Sequence, residues 1–124
     1  MNQYHAFREY VLAAVVVVAI AIAFLSLSRS DARAISVLSP RLHRVGHFSC
    51  YVLLAFLCVV ALAPVLPVAL PRMLAGFAIA TAFGVVMEYL QRFRPGRQPS
   101  CRDALTNAAG AALGALLAFA LPWK

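Results

Sequence analysis

A chain of 124 residues that is 64% hydrophobic and 12% charged lies far from soluble domains, where about 45–50% apolar and about 25% charged residues are usual. The composition indicates a membrane protein, and at about twenty residues per crossing helix the length has room for at most about four or five spans and for no large soluble domain. Eleven Lys and Arg against four acids, net +7, would suggest nucleic acid in a soluble protein. Here the arginines sit between apolar runs, as in loops on a cytoplasmic membrane face, so no nucleic-acid partner is expected, and an anionic lipid head group is the other reading of the same charges.

The first apolar run, Val11 to Leu25, follows a polar start with His5, Arg8 and Glu9. With Ala32-Arg33-Ala34 downstream it mimics a signal peptide, whose apolar region spans about 7–15 residues. Glu9 nearly cancels the basic start and three further apolar segments follow, so a retained helix over 9–27 is expected. The link from Ser26 to Arg44 carries Arg29, Arg33, Arg41 and Arg44 with only Asp31 to balance them, and Ser39-Pro40 reads as a turn and a helix start.

The second span is expected over 45–63. Arg44, His47 and Tyr51 are spaced by three and four, so they share one helix face, which Leu54 and Cys58 continue. Pro64, Pro67 and Pro71 break the helix in an apolar turn. The third span, 72–91, has Gly76 and Gly84 for close packing and ends with Glu88 and Gln91 on the face of Gly84. Arg92, Arg94 and Arg97 follow, with Pro95-Gly96 as a turn. Ser100-x-x-Asp103 resembles a capping box opening a fourth span over 103–122. Along that span Gly110-x-x-x-Gly114 is a small-residue packing signature, and Trp123 and Lys124 form an interfacial anchor.

The expected architecture is all-α: one domain over 1–124, an integral membrane bundle of four transmembrane helices joined by three short links. Eight basic residues in the first and third links against three elsewhere place those links in the cytoplasm and both termini outside. Cys50, Cys58 and Cys101 form no CxxC pair and read as small hydrophobes. In a four-crossing bundle the start of helix two, the end of helix three and the start of helix four lie on one side. His47, Tyr51, Glu88, Gln91, Arg97, Ser100, Asp103 and Asn107 can therefore meet in one cleft.

The ordered residues Arg44-x-x-His47-Phe48-x-x-Tyr51, Glu88-x-x-Gln91 and Pro95-x-Arg97-x-x-Ser100-x-x-Asp103-x-x-x-Asn107-x-x-Gly110-x-x-x-Gly114 resemble the signature of VanZ-like membrane proteins, over roughly Arg41 to Ala118. The resemblance implies a small protein of the bacterial cytoplasmic membrane, in a family whose named member is associated with low-level resistance to the glycopeptide teicoplanin. It implies a location more readily than a mechanism. The family usually carries an acid just before the basic residue at position 44, where this chain has His43, so a role needing that carboxylate does not carry over.

Glu88 and Asp103 are candidates for acid and base, since neighbouring, partly desolvated carboxyls have raised pKa values; His47 is a further candidate base. Against this, the capping spacing already explains Asp103, and Glu88 can pair with an arginine of the third link. A carboxylate inside an apolar helix is nevertheless costly without a purpose. His43 and His47 have the i, i+4 spacing of helical zinc sites, but H-E-x-x-H is absent, so neither a metal nor another cofactor is expected. Arg44, Arg97 and Arg102 near the start of helix four suit phosphate or carboxylate, while Arg29, Arg33 and Arg94 read as solvated, topology-setting charges. The expected binding set is Arg44, Tyr51, Gln91, Arg97, Ser100 and Asn107.

Two functions follow. In the first, the cleft binds an anionic lipid or lipid-linked cell-envelope intermediate and alters its fate by acid–base chemistry or by handling it. In the second, the chain is a non-enzymatic scaffold or subunit whose polar groups lock the bundle, through bonds such as Asn107 to Gln91, alone, as a homo-oligomer or in a membrane complex. A transporter or channel ranks third, because no inverted repeat is visible and four short helices enclose little room.

Overall fold

The computed structural model of the chain describes residues 3–27, 40–96 and 98–122. Arg29, Asp31, the Ala32-Arg33-Ala34 sequence, Ser39, Arg97, Trp123 and Lys124 lie outside the described residues. Among those described, the chain forms four helices, α1 (Gln3–Leu27), α2 (Pro40–Leu62), α3 (Ala69–Gln91) and α4 (Cys101–Ala120), and no strand.

The bounds differ from the apolar runs for local reasons. No Gly or Pro occurs between Gln3 and Leu27, so α1 starts at Gln3, not at 9, and continues the apolar run back through His5, Arg8 and Glu9. α2 starts at Pro40 and not at 45, because proline is preorganised for the first helical turn. Pro64 has no N–H to give, and α2 ends in a tight turn in which Ala63 N–H donates to Val60 O at 3.1 Å and Leu66 N–H to Leu62 O at 2.8 Å. α4 stops at Ala120, short of 122. Leu121, the residue before Pro122, is pushed into the extended region (φ −76°, ψ 135°), as steric conflict with the proline ring requires.

Each helix is long and apolar enough to cross a membrane: His5–Leu27, Arg41–Leu62, Ala69–Gln91 and Cys101–Ala120. Their outer faces remain apolar, with Val17, Ile20 and Phe24 on α1, Val85 on α3 and Leu105 and Leu116 on α4 each more than half exposed. Water does not tolerate so large an apolar surface, whereas lipid does. The chain is a multi-pass, all-α membrane bundle.

Packing centres on α2 and α4, with α3 against both, while α1 lies along α2 and touches α3 less. Gly110 faces the carbonyl of Phe48 and Gly114 that of Val52, so closely that a Cβ at either would strike the α2 backbone. Both numbers rise together, so α2 and α4 run parallel. Gly84 meets Tyr51 and Gly76 meets Val59, which sets α3 antiparallel to α2. The core is built of small residues and α2 side chains: Tyr51, Leu54, Ala55 and Cys58 with Ile22, Ala80 and Ala111, and below them Val59 with Ala115 and Ala118. Lipid is as apolar as a leucine core, so close packing of backbones, more than area removed from water, holds such helices together.

Candidate functional site

The antiparallel and parallel registers bring the start of α2, the end of α3 and the start of α4 to one end of the bundle. Three buried stripes converge there. On α2, Arg44 and His47 are half-buried and Tyr51 fully buried. On α3 the buried face includes Gly84, Glu88 and Gln91, and on α4 Asn107, Gly110 and Ala111. Each stripe follows from residues three and four apart sharing a helix face.

Tyr51 and Asn107 lie deepest of these residues, and Gly84 makes room for both. A Cβ at Gly84 would lie 3.0 Å from a Tyr51 ring carbon and 3.3 Å from the Asn107 Cβ. Glu88, one turn up α3 from Gly84, is 5% exposed and lies within electrostatic range of Tyr51. Gln91 stands seven residues from Gly84, about 10 Å along the axis, and is likewise buried.

Ser100 is the N-cap of α4, its Oγ accepting from Asp103 N–H at 3.3 Å. The capping box expected from the sequence is completed from elsewhere. The Ser100 N–H donates to Glu88 Oε2, at 3.5 Å and twelve residues away, so the carboxylate that a reciprocal box draws from position N3 comes here from α3. Asp103 is half-buried in the first turn, where its charge favours the helix dipole.

Several buried polar atoms nearby have no hydrogen-bond partner: Tyr51 OH, Gln91 Nε2, Arg94 Nη1, and both Asn107 Nδ2 and Oδ1. The Asn107–Gln91 hydrogen bond expected as a lock is therefore not formed. The two residues sit at different depths, Asn107 beside Gly84 and Gln91 about two turns nearer the surface. Arg94, read from sequence as a solvated charge, is half-buried with Nη1 sealed from solvent. Its place three residues after Gln91, on the buried face, was the available signal. An unpaired buried polar atom costs about 1–3 kcal/mol, so a group of them is an unusual feature in a bundle otherwise packed tightly.

The remaining residues lie around the rim. His47 packs on His43 with ring centroids 4.5 Å apart and planes at 60°. Among the described residues no group of three or more His, Cys, Asp or Glu side chains is placed to hold a metal ion. Arg92 sits 4.9 Å from the Tyr89 ring centroid and 5.8 Å from that of Phe93, a cation–π arrangement on the outer face of α3. Arg102 is exposed in the first turn of α4. Arg97 falls outside the described residues. Cys50, Cys58 and Cys101 are free thiols, half-buried, buried and exposed respectively.

Chemically, the cleft offers donors with no acceptor (tyrosine hydroxyl, two amides, a guanidinium) around one carboxylate engaged at a helix N-terminus. Among family models, VanZ/LLP1 matches residues 6–122, nearly the whole chain. No curated protein and no solved structure matches.

Proposed function

From the premise that this chain belongs to the VanZ/LLP1 family of membrane proteins, we propose that its polar cleft binds the anionic head group of a lipid or lipid-linked cell-envelope intermediate. One observation carries the reading: donors from α2, α3, α4 and the link after α3, Tyr51 OH, Gln91 Nε2, Asn107 Nδ2 and Arg94 Nη1, are buried without acceptors in the half of the bundle that holds the end of α3. A phosphate or carboxylate supplies acceptors of the kind and charge these groups lack, and rim arginines Arg44 and Arg102 add attraction. Arg97, outside the described residues, is a further candidate from its motif position in the sequence. The family's association with glycopeptide resistance supports a cell-envelope ligand.

Glu88 and Asp103 flank the N-cap serine, and His47 stands at the rim. In this reading Glu88 positions the start of α4 through Ser100 and remains the candidate acid or base toward the bound group, with Asp103 and His47 the further candidates. The same reading places the chain in the bacterial cytoplasmic membrane, with the cleft on the arginine-rich, cytoplasmic side and both termini outside. Chemical labelling of tags on both termini tests the orientation, and labelling of both tags from the cytoplasmic side overturns it.

The scaffold reading draws on the Glu88–Ser100 bond, which ties α3 to α4. The two are separated by Asn107→Leu. This variant removes unbonded polar atoms at similar volume, so it leaves the bundle as stable as before or more so. In nanodiscs carrying a phosphorylated lipid, binding should fall at least tenfold while the melting temperature holds. A variant that melts early and binds normally supports the scaffold and refutes the cleft.

A further inference from the structure

Arg92 is the first residue past α3, and the cleft makes no use of it. α3 runs over 23 residues, Ala69–Gln91, about 35 Å of helix against about 30 Å for a hydrocarbon core. Arg92 therefore stands at the level of the lipid head groups. It is at the same end of the bundle as the cleft but on the lipid-facing side: Arg92 is exposed, and Tyr89 and Phe93 beside it are 52% and 69% exposed, whereas Glu88 and Gln91 on the inner face are buried.

The Arg92 side chain is held by rings and not by an acid. Its guanidinium carbon lies 4.9 Å from the Tyr89 ring centroid and 5.8 Å from that of Phe93, and the two rings meet edge to face at 5.7 Å. Tyr89 and Phe93 are four residues apart and so neighbours on the helix surface. These contacts orient the guanidinium without neutralising it. Among the described residues it has no carboxylate and no hydrogen-bond acceptor, although a guanidinium is a planar fork of donors shaped for phosphate. The carboxylates at this end lie elsewhere: Glu88 Oε2 accepts from Ser100 N–H on the inner face, and Asp103 is in the first turn of α4.

Toward the bilayer centre the same side of α3 is bare hydrocarbon. The helix runs toward this face, so residues numbered below 92 lie deeper in the membrane. Val85, two turns below Arg92, shares its side of the helix and is 55% exposed. Ala82 and Ala78, small and exposed, carry the stripe to the middle of the span. Between Arg92 and Val85, Tyr89 brings a phenol hydroxyl about 4.5 Å deeper than the guanidinium, in the interfacial layer that suits a ring with one polar end.

We infer that Tyr89, Arg92 and Phe93 form a clamp for an anionic glycerophospholipid on the outer face of α3, with the phosphate on the Arg92 guanidinium and the acyl chains running inward along Val85, Ala82 and Ala78. A zwitterionic head group brings its own cation to the phosphate, whereas an anionic one leaves its charge for Arg92. The clamp is separate from the cleft and does not depend on what the cleft binds.

The test uses the full chain in nanodiscs with one fluorescent reporter at the clamp. Phe93→Trp keeps an aromatic ring there, and Trp123→Phe removes the chain's one tryptophan. Phosphatidylglycerol or phosphatidylcholine with brominated acyl chains is mixed in, and bromine quenches the indole on contact. Phosphatidylglycerol should quench as though enriched about fivefold over its bulk fraction, the factor for one arginine attracting an anionic lipid at the surface; phosphatidylcholine should show no enrichment. Arg92→Gln should abolish the preference, and because Arg92 is exposed and donates no side-chain bond, this variant should melt as the parent does. Arg92→Lys should keep less than half of it, since an ammonium retains the charge without the planar fork or the stacking. Equal quenching by the two lipids, or a preference that survives Arg92→Gln, overturns the inference. A preference kept in full by Arg92→Lys shows plain surface attraction and overturns the clamp. Sodium phosphate and sodium chloride at matched ionic strength should act alike; loss of the preference with phosphate alone shows that the free anion is the ligand and overturns the lipid assignment.

Discussion

Replacing Gly114 by alanine should loosen the α2–α4 contact, and the same change at Gly46 should not. A Cβ at Gly114 would overlap the Val52 carbonyl oxygen and come within 2.8 Å of its carbonyl carbon and 3.0 Å of its Cα. Carbon atoms pack at about 3.5–4.0 Å, and the struck atoms are backbone, so relief requires α4 to move off α2 by roughly 1 Å. Overpacking of this kind costs about 1–3 kcal/mol. Alanine returns about 0.8–1 kcal/mol of helix propensity, which leaves a net loss of up to about 2 kcal/mol. Gly46 is also helical, but a Cβ there meets nothing within 4 Å, so Gly46→Ala receives only the propensity gain. The propensity term is common to both, so the stability difference isolates the overpacking term, about 1–3 kcal/mol. Unfolding free energies measured by steric trapping in bicelles would read it directly. Equal stability of the two variants would refute the register in which Gly114 abuts Val52.

Three further outcomes follow from the cleft. Ser100→Ala removes the N-cap acceptor of Asp103 N–H and should cost about 1 kcal/mol, measurable by the same unfolding assay; Ser100→Asp should restore most of it. Gly96 sits at φ +82° with open space around it, so Gly96→Ala is disfavoured by backbone conformation alone, by about 1–2 kcal/mol, while Gly96→Asn, which tolerates this region, should cost less; a thermal melt of the three proteins ranks them. Glu88→Gln keeps an acceptor for Ser100 N–H but removes the charge. It should preserve stability within about 1 kcal/mol while altering the phosphorylated-lipid binding proposed for the cleft, and a large loss of stability would show that the carboxylate charge is structural.

Much of the bundle was legible along the chain. Apolar runs of span length separated by proline or arginine links dictate four helices, because lipid leaves the backbone no other way to satisfy its hydrogen bonds. The face carrying Arg44, His47 and Tyr51, and the face carrying Gly84, Glu88 and Gln91, were readable for a related reason: helical periodicity turns spacing into direction. The Ser100 cap was readable because capping is local chemistry.

Partners across helices were not. Glu88, not Asp103, accepts from Ser100 N–H, a bond between residues on different helices that no local spacing encodes. Asn107 and Gln91 share a cleft by pattern, yet differ in depth by about two turns because Gly84 fixes Asn107 beside Tyr51. Arg94 reads as a solvated charge in sequence, and only packing shows it, and Arg72 at the other end, drawn into the bundle.

Composition and periodicity by themselves determined that this chain is a four-helix membrane protein with its polar groups gathered at the ends of three spans. Those properties depend on solvent and on neighbours within one turn. Tertiary structure alone decided which polar atoms find partners, because the glycine contacts at 76, 84, 110 and 114 set the helix registers, and a shift of one turn, about 5.4 Å, would pair different groups. The same registers leave Tyr51 and Asn107 unbonded in the cleft and enclose Arg72 at the other end.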